Sequence, residues 1–294
     1  MIVVTTPTGK IGRQVLDRLM AAGAPTRVIA REPDRLPAAV RAYAEVVEGS
    51  HRELDVVTKA FAGARTVFWL VPSDPRSASV DAAYPGFSRP ACEAIATQGV
   101  ERVVGVSALG RGTAVAGNAG YVTASLAMDD LIASTGVSYR ALAMPSFMDN
   151  LLRQAELIRN RSMFTSPISG DHKAPSCATR DIAAVAAGLL LDDTWSGVEE
   201  VPVLGPEDLS FEDMARIMSE VLSRPIRFEQ LSGEAFKAGL VGSGMSEVMA
   251  QGMLDMALAK DAGLDNGAVR TPRTSTPTTF RQWCEEVLKP VVLA

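Results

Sequence analysis

The stretch Ile2-Val3-Val4-Thr5-Thr6-Pro7-Thr8-Gly9-Lys10-Ile11-Gly12 decides how this chain reads. A short β-branched run gives way to a turn. The turn leads into an amphipathic segment with Ile11, Val15, Leu16, Leu19 and Met20 on one face. That order predicts strand, glycine turn, helix. The first N–H groups of a helix have no partner within it, and its dipole places partial positive charge there, so the turn suits an anion. Gly9 is expected to take a backbone conformation that a side chain would forbid. Gly12 is expected to let the helix approach a sheet or a pyrophosphate closely. A Gly-x-x-Gly pair directly after a strand predicts a dinucleotide site rather than an ordinary tight turn. The candidate contacts are Thr6, Thr8, Gly9, Lys10, Ile11 and Gly12.

The same alternation continues outward. Residues 26–30, 44–48, 66–71, 102–107 and 138–143 read as five further strands. Residues 54–61, 87–98 and 121–134 have helical spacing, and 73–85 and 109–120 read as loops. Alternating strand and helix specify a Rossmann-type α/β fold, a doubly wound parallel sheet with helices on both faces. Ligands of such sheets lie beyond the carboxyl ends of the strands. Here those ends are the first turn, Arg31, Val71-Pro72, Ser107 and Met144-Pro145.

After Pro145 the alternation stops. Residues 147–159 read as helical, 160–175 as irregular, 181–191 as a helix and 200–204 as a seventh strand. Ser210 and Asp213 have capping-box spacing before a helix over 210–222, with Asp where Glu is usual. Residues 233–264 and 278–288 read as helical. The expected organisation is a nucleotide-binding domain over 1–147 that also receives 179–204. A smaller, mainly helical substrate lobe takes 148–178 and 205–294. With 294 residues, 47% hydrophobic but 5% aromatic, the core is expected to be Ala, Val, Leu and Met. A net charge of −5 without blocks of like charge argues against nucleic acid or an anionic membrane as partner. Cys92, Cys177 and Cys284 have no metal-ligand spacing and suit a reducing cytoplasm. His51 and His172 are the only histidines, so no multi-histidine metal site is expected, and both are taken as surface residues. No apolar run approaches the roughly 20 residues of a membrane span. A cytoplasmic monomer or small homo-oligomer is expected.

Taken together, the motifs resemble the NmrA-like group of atypical short-chain dehydrogenases/reductases over nearly the whole chain. The resemblance is carried by Thr8-Gly9-Lys10-Ile11-Gly12, Arg31-Glu32-Pro33 and Pro145-Ser146-Phe147-Met148-Asp149-Asn150. It continues in Thr179-Arg180-Asp181-Ile182-Ala183, Leu204-Gly205-Pro206-Glu207 and Thr276-Pro277-Thr278-Thr279-Phe280. The resemblance adds Val71, Pro72, Pro145 and Phe147 to the expected cofactor contacts. Three positions depart from the family pattern. Thr6 stands at its usual first glycine, and Gly49-Ser50 replaces the Gly-Asp that ends strand three. Tyr121-Val122-Thr123-Ala124-Ser125 lacks the lysine of Tyr-x-x-x-Lys.

Arg31 ends strand two, where an acid would accept from the ribose hydroxyls of NAD. An arginine offers a fork of donors to a 2′-phosphate, so NADP(H) is the expected cofactor, with Arg35 or Lys10 assisting. The resemblance places Ser107 beside the nicotinamide, where its hydroxyl either donates to a substrate carbonyl or satisfies the strand end. Tyr121 either protonates an alkoxide or packs on the sheet; without the lysine it stays neutral and donates only. Met245, Met249, Met253 and Met256 either line an adaptable pocket or fill the core. The first expectation is an NADPH-dependent ketoreductase for a hydrophobic aromatic molecule. By analogy with tailoring enzymes of GC-rich organisms, the substrate is a polyketide-type, angucyclinone-like ketone of antibiotic biosynthesis. The alternatives are an NADP-binding redox sensor without turnover and an NADPH quinone reductase.

Overall fold

The computed structural model describes residues 1–294 apart from Ser73, the first residue of the expected 73–85 loop, which lies outside the described residues. In chain order the first half runs β1 (Ile2–Val4), α1 (Lys10–Ala21), β2 (Thr26–Ala30), α2 (Ala38–Tyr43), β3 (Glu45–Glu48) and α3 (Leu54–Phe61). It continues with β4 (Thr66–Trp69), α4 (Val80–Ala83), α5 (Pro85–Gln98), β5 (Arg102–Ala108), α6 (Tyr121–Ala133) and β6 (Ser138–Met144). The second half runs β7 (Ser146–Phe147), α7 (Ala155–Arg161), β8 (Met163–Ser166), β9 (Ala174–Cys177), α8 (Thr179–Leu191), β10 (Val198–Pro202) and β11 (Asp208–Leu209). It closes with α9 (Phe211–Leu222), β12 (Arg227–Gln230), α10 (Gly233–Gly242), α11 (Glu247–Asp261), α12 (Phe280–Trp283) and α13 (Lys289–Leu293).

Seven strands form one parallel sheet in the order β10-β6-β5-β4-β1-β2-β3. Successive side chains of a strand face opposite ways, and the core divides accordingly. Val4, Phe68, Val104 and Leu142 face Leu16 of α1 and Ile182 and Ala186 of α8. Val3, Val67, Val103 and Tyr139 face Val57 and Phe61 of α3, Ile95 of α5 and Met128 of α6. Val15, Leu16 and Leu19 are fully buried, each worth about 1.5–3 kcal/mol of apolar burial, which fixes α1 against the sheet.

The second half carries more strand than the mainly helical lobe expected there. Residues expected to be irregular contain β8 and β9. Together with β7, β11 and β12 these make a three-stranded sheet, β11-β9-β7, and a two-stranded one, β12-β8. Ile158, Phe164, Met218, Phe280 and Trp283 form the lobe's own core. The 73–85 stretch contains α4, whose start is capped by the Ser79 hydroxyl accepting from the Ala82 N–H at 3.0 Å. β4 stops at Trp69, two residues early. Residues 147–159 begin as a 3₁₀ segment, Met148–Gln154, before α7. Residues 233–264 are two helices, and the last helix is broken by a π turn at Cys284–Leu288. The Ser210–Asp213 capping box is present in full.

Candidate active site

Thr5 closes β1. Its Oγ1 donates to the Phe68 carbonyl at 3.0 Å and accepts from the Leu70 N–H at 2.9 Å, tying the ends of β1 and β4 together. Thr6 then takes a φ of 49°, a left-handed conformation that costs a β-branched residue roughly 1–3 kcal/mol. Its Oγ1 is buried with no hydrogen-bond partner. Gly9, at φ −76°, is in ordinary extended backbone, so the expected special conformation belongs to Thr6 instead. Gly12 is required by space: a Cβ there would sit 2.2 Å from the Thr6 carbonyl oxygen.

A groove of about 490 Å³ lies over this turn, bordered by Thr6, Thr8, Gly9, Arg31, Arg35 and Pro72. Arg31 and Arg35 are exposed, and Arg35 pairs with Glu32 at 3.1 Å. No side chain caps α1, so the amides of Lys10, Ile11 and Gly12 are open to an anion. Free amides and an orphaned Thr6 hydroxyl fit a dinucleotide pyrophosphate. The side chains of the three α1 residues do not border the groove. Lys10 reaches toward Asp149 at 4.0 Å, Ile11 is in the core and Gly12 lies under Thr6.

His51 is not the expected surface residue. It is buried edge-on to Trp69 and Phe87, its Nε2 lies 3.1 Å from the Leu70 carbonyl, and burial lowers its pKa to about 4. His172 is half-buried, and neither the groove nor the neighbouring cavity includes it.

That second cavity, of about 290 Å³, meets the groove across Val71–Pro72 and Ala83–Tyr84. It brings together Val71, Ser107, Tyr121, Pro145 and Phe147 of the expected residues. Gly120, at φ 52°, lets the start of α6 lie against α11: a Cβ there would be 2.0 Å from the Gly252 carbonyl. This contact places Tyr121 across from Met253 and Met256, both in the cavity wall. Met249 is fully buried, and Met245 Sδ lies 4.0 Å from the Tyr121 hydroxyl. Burial raises the Tyr121 pKa, so it is a neutral donor.

Ser125 occupies the family's lysine position, with its Oγ 3.4 Å from that of Ser107. A lysine nevertheless reaches the cavity from α11. Lys260 is buried and ion-paired to Asp265, and it lines the same wall. Arg153 and Asn150 add polar groups. The Ser107 hydroxyl donates to Asp129, a second residue the sequence reading passed over. The Tyr139 hydroxyl donates to the other Asp129 oxygen at 2.6 Å. Burial, outweighing these bonds, raises the Asp129 pKa to about 6. The later motifs are structural clasps. Asp149 accepts from the Thr179 N–H and hydroxyl, and Asp181 from those of Thr278, at 2.9–3.1 Å.

A strand-end groove for a dinucleotide beside an apolar cavity with a few hydroxyls defines an NAD(P)H-dependent oxidoreductase. The chain belongs to the NAD(P)H-binding family, whose model matches residues 7–193, within the NmrA-like, atypical short-chain dehydrogenase/reductase group. It is 32% identical to the (4-alkanoyl-5-oxo-2,5-dihydrofuran-3-yl)methyl phosphate reductase of Streptomyces griseus, over 97% of each chain. It is 28% identical to the NAD(P)H azoreductase of Xenophilus azovorans, over 87% of this chain and 86% of that one. The NADPH-dependent quinone oxidoreductase of Escherichia coli, solved with NADPH, superposes with a TM-score of 0.79. It is 20% identical, covering 96% of this chain and 98% of the other. Among the described residues no helix is long and apolar enough to cross a membrane.

Proposed function

We propose that this chain is an NADPH-dependent reductase of a compact, electron-poor conjugated carbonyl compound, such as an aromatic polyketide-type ketone. The carrying observation is that Ser107 lies in an apolar cavity sharing a border with the nucleotide groove. A dihydronicotinamide bound in that groove supplies a hydride. Arg31 and Arg35 give the groove its 2′-phosphate partners. Val71, Tyr84, Val122, Phe147, Met253 and Met256 exclude water and hold a flat apolar acceptor. The Ser107 hydroxyl orients the acceptor oxygen, and Tyr121 forms a neutral wall beside it. At about 290 Å³ the cavity is at the small end of ligand sites, which favours a compact acceptor.

Lys260 favours a second reading within the same chemistry. A buried ammonium stabilises an acceptor that becomes anionic on reduction, as a quinone or a conjugated enone does. The phosphate ester in the name of the Streptomyces griseus relative suggests a role for Arg153, whose planar fork suits a phosphate. The test is NADPH consumption against quinones, polycyclic ketones and a phosphorylated butenolide, with product identification. Turnover of at least one class with the cavity intact is expected; no turnover on any of them would overturn the assignment.

A further inference from the structure

We propose that Asp129 is a proton reservoir for Ser107, filled from a second, solvent-facing cavity, and that its protonation state decides which way the Ser107 hydroxyl points. The inference rests on the reductase reading of the Ser107 cavity.

Ser107 borders the acceptor cavity, and its Oγ donates to Asp129 Oδ2 behind it. Asp129 in turn borders a separate cavity of about 220 Å³ walled by Arg111, Asp130, Tyr139, Glu199 and Glu200. Asp130 and Glu199 are exposed, and the Arg111 side chain is 43% exposed, so this cavity faces solvent. Asp129 therefore touches both Ser107 and the solvent-facing cavity. It is 3% exposed, too buried to be an ordinary surface carboxylate.

Charged and titratable groups face Asp129 from several elements. Ser107 of β5 and Tyr139 of β6 donate to the two oxygens. Arg111, in the loop after β5, lies 3.8 Å from Oδ2, but it also pairs with Asp130 at 2.9 Å and Glu200 at 3.5 Å. Glu200 of β10 opposes ionisation of Asp129, and Cys92 of α5 bears on Tyr139. The guanidinium is shared among three carboxylates, so burial prevails and Asp129 takes up its proton near pH 6.

A hydroxyl has a single hydrogen. When Asp129 is ionised, Ser107 spends that hydrogen on the carboxylate and offers the acceptor cavity only lone pairs. When Asp129 is protonated, it donates to Ser107, whose own hydrogen is then free to face the acceptor oxygen. Hydride addition leaves an oxyanion on the acceptor. The Ser107 proton moves to that oxyanion, the Asp129 proton moves to Ser107 Oγ, and water in the outer cavity reprotonates Asp129. One hydride and one proton enter for each carbonyl reduced. Tyr121 is not required as the acid, which agrees with the absence of a lysine at position 125.

The test combines turnover with a measurement on the protein alone. Infrared difference spectra of the cofactor-free protein should show one buried carboxyl band titrating near pH 6. The band should be absent in Asp129→Asn and shifted in Ser107→Ala. In turnover with a quinone and saturating NADPH, wild-type kcat should fall above the same pH. Asp129→Asn should lose that inflection and about a hundredfold in kcat, with KM for the acceptor little changed. Tyr139→Phe, which removes a donor from the carboxylate, should move both the band and the inflection to higher pH; a purely structural role would move neither. An Asp129→Asn enzyme that keeps the wild-type inflection, or a cofactor-free protein with no such band, overturns the relay alone. A wild type that reduces no acceptor overturns the reductase reading together with it.

Discussion

Removing the Arg31 side chain should separate NADPH from NADH. Arg31 ends β2 at the rim of the nucleotide groove, and its charge is close enough to bear on His51 across the groove. A charged hydrogen bond is worth about 1.5–3 kcal/mol. Arg31 is exposed, and Glu32 beside it repels a phosphate, so the lower end applies. About 1.5 kcal/mol corresponds to roughly tenfold in affinity. Titration of both cofactors, followed by fluorescence, into wild type and Arg31→Ala should show NADPH weakened about tenfold and NADH unchanged. The NADPH difference should shrink as salt is added. Equal weakening of both cofactors would refute the reasoning, because it would place Arg31 on a group they share.

Gly12→Ala should lower stability in urea by about 3 kcal/mol, because the new Cβ meets a backbone oxygen that cannot step aside; an unchanged midpoint would mean α1 is free to move. Tyr121→Phe should bind NADPH normally and slow reduction by well under the roughly hundredfold expected for loss of a full general acid; an inactive variant restores the tyrosine as the acid. His51, buried neutral with a pKa lowered to about 4, should make stability depend on pH. The unfolded chain binds this proton below about 6.5, so the contribution is complete above that pH and is lost as pH falls toward 4, by up to about 3 kcal/mol. Asp129 acts with the opposite sign over a similar range, so the test is the difference in urea stability between wild type and His51→Gln. That difference should fade as pH falls from 6.5 to 4, and a constant difference would exclude the assignment.

The main sheet was legible because each of its first six strands is a short run, mostly of β-branched, aromatic or other apolar residues, that alternates with a helical stretch. Their parallel arrangement follows from the alternation with helices, and β4 takes the central place with β1 beside it. The small strands were not legible. Residues Met163–Ser166 and Ala174–Cys177 have no alternation of their own, and β9 contains Pro175. They exist because partners at Arg227–Gln230 and Asp208–Leu209, distant in sequence, pair with them.

The site divides in the same way. Residues at strand ends, Arg31, Val71, Ser107 and Pro145, are placed by topology and could be found from spacing. Asp129 and Lys260 could not. Asp129 sits beside Asp130 on α6 and reads as a solvated pair until β5 and β6 lie side by side. Lys260 lies in the last turn of α11, an Ala- and Met-rich helix whose sequence gives no sign of facing a cavity. His51 was misjudged because Trp69 and Phe87, which bury it, come from other elements. Gly9 and Thr6 exchanged roles because the strained residue of the turn is set by how Thr5 binds β4.

On the proposed reading the acceptor is reduced in the cavity beside Ser107 while the nucleotide lies in the neighbouring groove. Met256 lines that cavity and does not border the groove. Met256→Trp, whose ring would fill the cavity, should therefore leave the NADPH dissociation constant and the melting temperature near wild type and abolish acceptor reduction. A Met256→Trp protein that binds NADPH and reduces its acceptor at the wild-type rate would contradict the account.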